Sequence, residues 1–355
     1  MKVYVMPADA YGCGHYRSIW PSDVLKKQGL DVSIIPPSKE SGFLARTAKG
    51  ADGIERLTSL GIPEDADVIV IQRPAHPLQP QMIKMLRQNG IAVVVDMDDD
   101  MSTIHPDNTA FHMYRPHSAT AFSWRYATES CREASFVTTS TVALQKTYAP
   151  HGRGMVIDNF VPAAYLNVPK QPTGSFGWAG TTKSHPNDLQ GTRPAVQKLM
   201  DMGHMFTVVG DGKGVKNALG LKQEPLATGT VSLKDWVATI AGSMDVGIIP
   251  LAPTSFNTAK SRLKGIESFA AKVPWVAAPR AEYRRLVKES GAGLLAETPK
   301  EWQTQVHRLM TDDVLRKEQV EAGMEYMRYQ TYENQAWRWW EAWDRAYHIE
   351  RGMPR

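Results

Sequence analysis

At 355 residues, 42% of them hydrophobic and 22% charged, the chain is long enough for two ordinary domains and too evenly composed for a disordered, fibrous or low-complexity protein. Its 41 basic against 37 acidic side chains leave a formal charge of +4, which permits an anionic partner without demanding one. Two cysteines, Cys13 and Cys131, are too few for a secreted disulfide framework, and no stretch approaches the roughly 20 apolar residues of a spanning helix, so a cytoplasmic protein without integral membrane association is expected.

The opening run breaks at Pro7 and passes into glycine and charge, unlike a signal peptide. Short β-branched runs then alternate with longer polar–apolar stretches, the appearance of repeated strand–helix units and a parallel sheet. The first series predicts strands at Lys2–Met6, Asp31–Ile35, Val68–Gln72, Ala92–Asp96, Phe136–Thr139 and Met155–Ile157. The proline-rich FVPAAYLNVPKQPTGS reads as a linker, and a second series follows at Ser175–Ala179, Phe206–Gly210, Thr228–Val231, Val246–Pro250, Trp275–Ala278 and Gly293–Ala296. The expected organisation is an N-terminal domain over 1–160, a second over 173–330, and a terminal helix over 331–355. In that helix Trp337, Trp340, Trp343 or Asp344, and Tyr347 recur at helical spacing, a packing surface expected to dock on the first domain, with base stacking as the alternative.

The candidate chemistry sits where strands end. After the first strand, Gly12, Gly14, His15 and Arg17 let backbone approach a ligand and open a helix, although the spacing departs from the dinucleotide fingerprint at Arg17. Asp96, Asp98, Asp99 and Asp100 crowd the end of another strand, where like charges raise one another's pKa and provide a candidate base for a hydroxyl, or oxygen ligands for a divalent ion, or helix caps. In GWAGTTKSH, Gly180, Thr181, Thr182 and Lys183 offer N–H groups, hydroxyls and a cation to a pyrophosphate, and Gly210 and Gly212 form a second glycine-rich strand end. In FNTAKSRLKGIESFAAKVPWVA, Asn257, Lys260, Ser261, Lys264 and Glu267 surround a helix start, where cation and helix dipole act together on a diphosphate; Lys264 and Glu267 also have the spacing of a plain surface ion pair.

These stretches, with VVGDG, MDVGIIPL and GLLAETPKEW, resemble the GT-B glycosyltransferases of the "glycosyl transferases group 1" branch, over nearly the whole chain but with specific motifs only in its C-terminal half. The resemblance implies an α/β protein of two Rossmann-like, doubly wound parallel-sheet domains facing across a cleft. It implies a nucleotide-sugar donor such as a UDP-sugar, its diphosphate near a basic residue and a helix start and its ribose on a Glu; Lys260, Ser261 and Glu267 match. Gly14, Arg17, Gly180, Thr181, Thr182, Lys183, Gly210, Asn257 and Lys264 complete the expected donor set. Asp98, Asp100 and His15 are the expected catalytic groups, with Asp99 as a further candidate base, and no cofactor or fixed metal is expected. Retaining members carry a further Glu, where this chain has Ala259 eight positions before Glu267, so the stereochemical course stays open.

For the acceptor, Arg46, Lys49, Arg56, Lys84, Arg87, Arg115, Arg125 and Arg132 would suit the phosphates of double-stranded DNA bearing a hydroxylated base, as in phage DNA glycosyltransferases. A surface glycan or small acceptor is the alternative. A nucleotide-sugar epimerase and a non-catalytic nucleic-acid-binding protein are further readings.

Overall fold

The computed structural model describes residues 1–37, 45–114 and 123–352. Two six-stranded, all-parallel sheets carry the fold. The first runs Val32–Ile34, Val3–Met6, Val68–Gln72, Ala92–Met97, Phe136–Thr139, Gly154–Val156; the second runs Leu226–Ala227, Met205–Val209, Ser175–Ala179, Val246–Ile249, Trp275–Ala277, Leu294–Leu295. Runs such as VIVIQ and AVVVDM are buried at every position because helices cover both faces, which is why they read as continuous apolar stretches instead of alternating ones.

Two local readings need correction. The third strand of the second series is Leu226–Ala227, not Thr228–Val231. Thr228 turns its Oγ1 back to accept the Gly210 N–H at 3.0 Å, and Gly229, at φ +75°, bends the chain off the sheet. An antiparallel hairpin, Ala45–Lys49 with Glu55–Leu60, was not foreseen: it is mostly exposed and polar, so it lacks an apolar signature.

The chain crosses between the sheets twice, side by side. Val161 N–H donates to Gln330 O at 3.2 Å and Tyr332 N–H to Val161 O at 3.0 Å, forming a small parallel bridge. The last helix, Trp337–Glu350, then lies on the first sheet, with Trp339 Nε1 donating to Arg17 O at 2.8 Å and Glu350 accepting from Arg87 and Ser135, both at 2.7 Å. Its buried face is Trp339, Ala342, Trp343 and Ala346, which shares Trp343 with the expected stripe; Trp340 and Tyr347 pack partly buried beside it, and Trp337 is half exposed under Arg338. The alanines set the register, because they let the helix approach the sheet between the two indoles.

Candidate functional site

In the second sheet the strand order reverses between Ser175–Ala179 and Val246–Ile249, so the loops leaving those strands part and open a crevice, the usual ligand position in such sheets. A cleft of about 440 Å³ lies there, between Gly180, Thr181, Lys183, Ser184 and His185 on one loop and Gly210, Asp211, Thr230, Val231, Trp236 and Lys264 around it. Two glycines shape its floor. A Cβ on Gly210 would stand 2.5 Å from Gly180 O, and one on Gly180 would meet Lys264 Nζ and the Trp178 ring at 2.9 Å; both have positive φ.

Lys264 projects from the first turn of the helix Leu263–Ala270 into this cleft. Its Nζ donates to Ala179 O at 3.1 Å and stands 5.3 Å from the Trp178 ring centre. Burial, with a contribution from Lys260, brings its pKa down to about 8. Beside it, His185 Nδ1 lies 3.0 Å from Asp188 Oδ2. Burial and then the Lys264 charge pull the imidazole pKa down to about 4, against the pull of Asp188. The other oxygen of Asp188 accepts from Asn257 Nδ2 at 2.6 Å and Ala252 N at 2.9 Å, tying together the loops that follow both switch-point strands.

A wall of the first domain abuts the loop that lines this cleft. Arg73, in the left-handed region at φ +50°, pairs with Asp98 and, at 2.9 Å, with Asp99, whose other oxygen takes Lys260 Nζ at 2.8 Å. Burial pushes the Asp98 carboxyl up despite Arg73; on Asp99 burial acts the same way, but Lys260 and Arg73 outweigh it and hold that carboxyl low. Asn108 Nδ2 reaches Ser184 O at 3.0 Å and Thr109 N–H reaches Lys183 O at 3.1 Å, so this wall is fastened to the glycine-rich loop.

Several expected site residues are employed elsewhere. Arg17 is buried, forked onto Asp96 at 2.7 and 3.1 Å, with Nη1 on Ile157 O at 2.6 Å and Asn159 Oδ1 at 3.0 Å, so its guanidinium has no face open to a donor. A Cβ on Gly14 would lie 1.9 Å from Asp9 O, which makes this glycine a packing requirement of the first loop. His15 Nδ1 meets Tyr11 O at 2.8 Å, and the ring stands edge-on to Trp20. Asp100 closes its own turn, accepting from Ser102 N at 3.1 Å and Ser102 Oγ at 2.6 Å. Asp96 is taken by Arg17 and Thr138, while Asp98 and Asp99 share Arg73; among the described residues no group of three His, Cys, Asp or Glu is placed to hold a metal ion.

On the second domain, Glu267 is buried and accepts from Tyr16 OH at 2.5 Å and from the Trp236 side chain, and burial raises its pKa. Ser261 Oγ accepts from Asn159 at 2.9 Å, Asn257 serves Asp188, and Lys260 serves Asp99 while standing 4.5 Å from the Phe256 ring centre. Thr181 Oγ1 accepts from Lys183 N at 3.3 Å, Thr182 Oγ1 donates to Lys213 O at 3.1 Å, and Lys183 faces Asp211 at 3.6 Å. Thus Gly180, Thr181, Lys183, Gly210 and Lys264 come together around the cleft. Sequence reasoning missed His185, Asp188, Trp236 and Arg73; the first two stand in the same GTTKSHPND stretch, where a His three residues before an Asp was a readable signal.

Four of the first domain's proposed cations are matched by acids: Arg56 with Asp52, Lys84 with Glu133, Arg87 with Glu350 and Arg132 with Glu129. Arg115 lies outside the described residues. Among the described residues no helix is long and apolar enough to cross a membrane.

Two parallel-sheet α/β domains facing across a cleft define a GT-B fold. Residues 176–312, the second sheet and its helices, match the family model described as Glycosyl transferases group 1, so the resemblance read from the motifs holds where those motifs lie. No curated protein matches the sequence. Among solved structures, TarM of S. aureus aligns with TM-score 0.55 and 16% identity over 79% of this chain; the chain spans 56% of that protein's length. Sucrose-phosphate synthase from Thermosynechococcus elongatus aligns with TM-score 0.61 and 13% identity, covering 97% of this chain and 98% of that one. A trehalose-6-phosphate structure from E. coli bound with UDP-2-fluoro glucose aligns with TM-score 0.62 and 11% identity over 100% of both chains. At these identities the likeness is one of fold.

Proposed function

We propose that this chain is a glycosyltransferase that moves a sugar from a nucleoside-diphosphate sugar to an acceptor hydroxyl. The observation that carries the proposal is the cleft at the switch point of the second sheet, where two closely packed glycines and a half-buried lysine converge. Backbone at Gly180 and Gly210 approaches the diphosphate without steric cost, and Lys264 supplies positive charge where the leaving group becomes more negative. The acceptor oxygen bonds to the anomeric carbon as the bond from that carbon to the diphosphate oxygen breaks, its electron pair departing on the diphosphate. The acceptor's proton passes to Asp98 in an inverting displacement, or to the departing phosphate oxygen in a front-face one. Ala259 in place of a carboxylate leaves the second course without a protein group on the sugar at that position.

Glu267, already engaged by Tyr16 and Trp236, takes the ribose hydroxyls in this reading only if the Tyr16 contact yields. Lys260 acts indirectly by fixing Asp99. No resident metal is assigned, since Lys264 provides the electrostatic role and the aspartates are already engaged by Arg17, Arg73, Lys260 and Ser102.

The acceptor we favour is a glycan or small-molecule hydroxyl, in line with the sugar-related proteins that share the fold, because four of the cations proposed for a phosphate backbone, Arg56, Lys84, Arg87 and Arg132, are paired with acids. A hydroxylated base in duplex DNA is the second acceptor; exposed Arg46 and Lys49 on the hairpin favour it. Incubation with UDP-, GDP-, ADP- and dTDP-sugars, with and without each acceptor, tests the proposal. Acceptor-dependent release of one nucleoside diphosphate is expected; sugar isomerisation without acceptor means an epimerase, and duplex binding without turnover of any donor means a nucleic-acid-binding protein.

A further inference from the structure

His185 lines the cleft, and its chemistry is fixed by its neighbours. Asp188 is an acceptor only, so the 3.0 Å contact places the proton on Nδ1 and leaves Nε2 as the ring's lone-pair atom. That tautomer is locked from behind, because the second Asp188 oxygen is held by Asn257 and the Ala252 N–H. The charged groups acting on the ring come from both domains: Asp188, Lys264 and Lys260 on one side and Asp99 on the other. Two lysines against a ring with little solvent contact keep it neutral at physiological pH, as its pKa of about 4 expresses.

A neutral imidazole presenting a lone pair cannot donate from Nε2 to a phosphate oxygen, and it is too weak a base to take a hydroxyl proton outright near pH 7. What it can do is accept a hydrogen bond. Resting on the donor reading above, we infer that His185 is a specificity residue whose Nε2 accepts a hydrogen bond from one hydroxyl of the transferred sugar, with Asp188 as its positioning residue. The cations in the same cleft thus serve the diphosphate, and the imidazole serves the sugar. A donor whose sugar lacks that hydroxyl leaves the lone pair buried without a partner, which is the condition for strong discrimination.

The experiment starts from the donor that the nucleotide-sugar panel selects and uses its deoxyfluoro analogues, in which one hydroxyl at a time is replaced by fluorine, a group that cannot donate. In the unaltered protein one analogue is expected to lose about 10- to 100-fold in kcat/KM. In His185→Asn, whose amide can still donate to Asp188 but has nothing at the Nε2 position, that penalty disappears while affinity for the nucleoside diphosphate alone is unchanged. His185→Gln, which returns an amide near the Nε2 position, recovers part of the penalty. Equal discrimination in the unaltered protein and His185→Asn overturns the inference, as does a loss of nucleoside-diphosphate affinity in His185→Asn, which would make the ring a phosphate ligand. If the unaltered protein binds no nucleotide-sugar, the donor reading itself falls, an outcome separate from binding without discrimination.

Discussion

The strand ends of the two domains offer similar side chains and use them differently. On the first sheet, Arg17, Asp96 and Asp100 are folded inward onto one another and onto backbone, so the charges meet internal partners. On the second, Gly180 and Gly210 keep side chains out of the way, and Lys264 reaches a cleft where a backbone carbonyl and the Trp178 ring, not a paired carboxylate, meet its Nζ among the described residues. A strand end becomes a ligand site when its polar groups lack a complete set of internal partners. It becomes scaffold when they have one.

The sharpest way to break this comparison is to remove one cation from each side. Arg17→Ala strands Asp96 in the core and is expected to cost about 3–5 kcal/mol of stability, read by chemical denaturation, because half of a buried pair is left uncompensated. Lys264→Ala should keep the melting temperature while lowering kcat about 10²- to 10³-fold, the size of losing one leaving-group stabiliser. If the two variants exchanged these phenotypes, the assignment of scaffold and site would be reversed.

A smaller effect tests the glycine floor. Gly210→Ala drives a Cβ toward Gly180 O at an unfavourable φ and should cost about 1–3 kcal/mol, with donor affinity weakened in parallel because the same carbonyl borders the cleft. Gly12→Ala, with open space around the added carbon, is the matched control from the first domain and should change little.

The smallest prediction concerns pH. In the empty cleft Lys264 is cationic below about pH 8, so affinity for a nucleoside diphosphate should fall as pH rises through that value, by up to about tenfold per unit. Stability moves the other way. Between about 8 and the ordinary lysine value of 10.5 the unfolded chain holds the proton that the folded chain has released, so this group's contribution to folding stability rises with pH. Titration calorimetry and thermal melts of the unaltered protein and Lys264→Met, compared across pH 7 to 10, check both signs.

Much of this organisation was legible in the sequence, for reasons tied to burial. Doubly covered strands such as Val68–Gln72 must be apolar at every position, and that signal is local. Leu226–Ala227, an exposed edge of two residues, and the polar hairpin carry no such constraint. The stretch KSRLKGIE announced a diphosphate site, but two lysines four residues apart look alike until the fold brings Asp99, 161 residues away, onto Lys260 and leaves Lys264 for the cleft. Arg17 was misread for the same reason, since its partner Asp96 lies 79 residues off. The aspartate cluster looked convergent as text, whereas the strand end and the turn after it send Asp96 to Arg17 and Asp100 to Ser102 and leave Asp98 and Asp99 together on Arg73.

The central claim is that the second domain's cleft binds a nucleoside-diphosphate sugar through Lys264, and calorimetric titration of UDP-, GDP-, ADP- and dTDP-sugars into the unaltered protein and Lys264→Ala tests it most directly. The account predicts selective binding of one nucleotide, weakened at least about tenfold in a variant that melts at the same temperature, which corresponds to about 1.4 kcal/mol. Binding of none of them, or equal binding by both proteins, would contradict it.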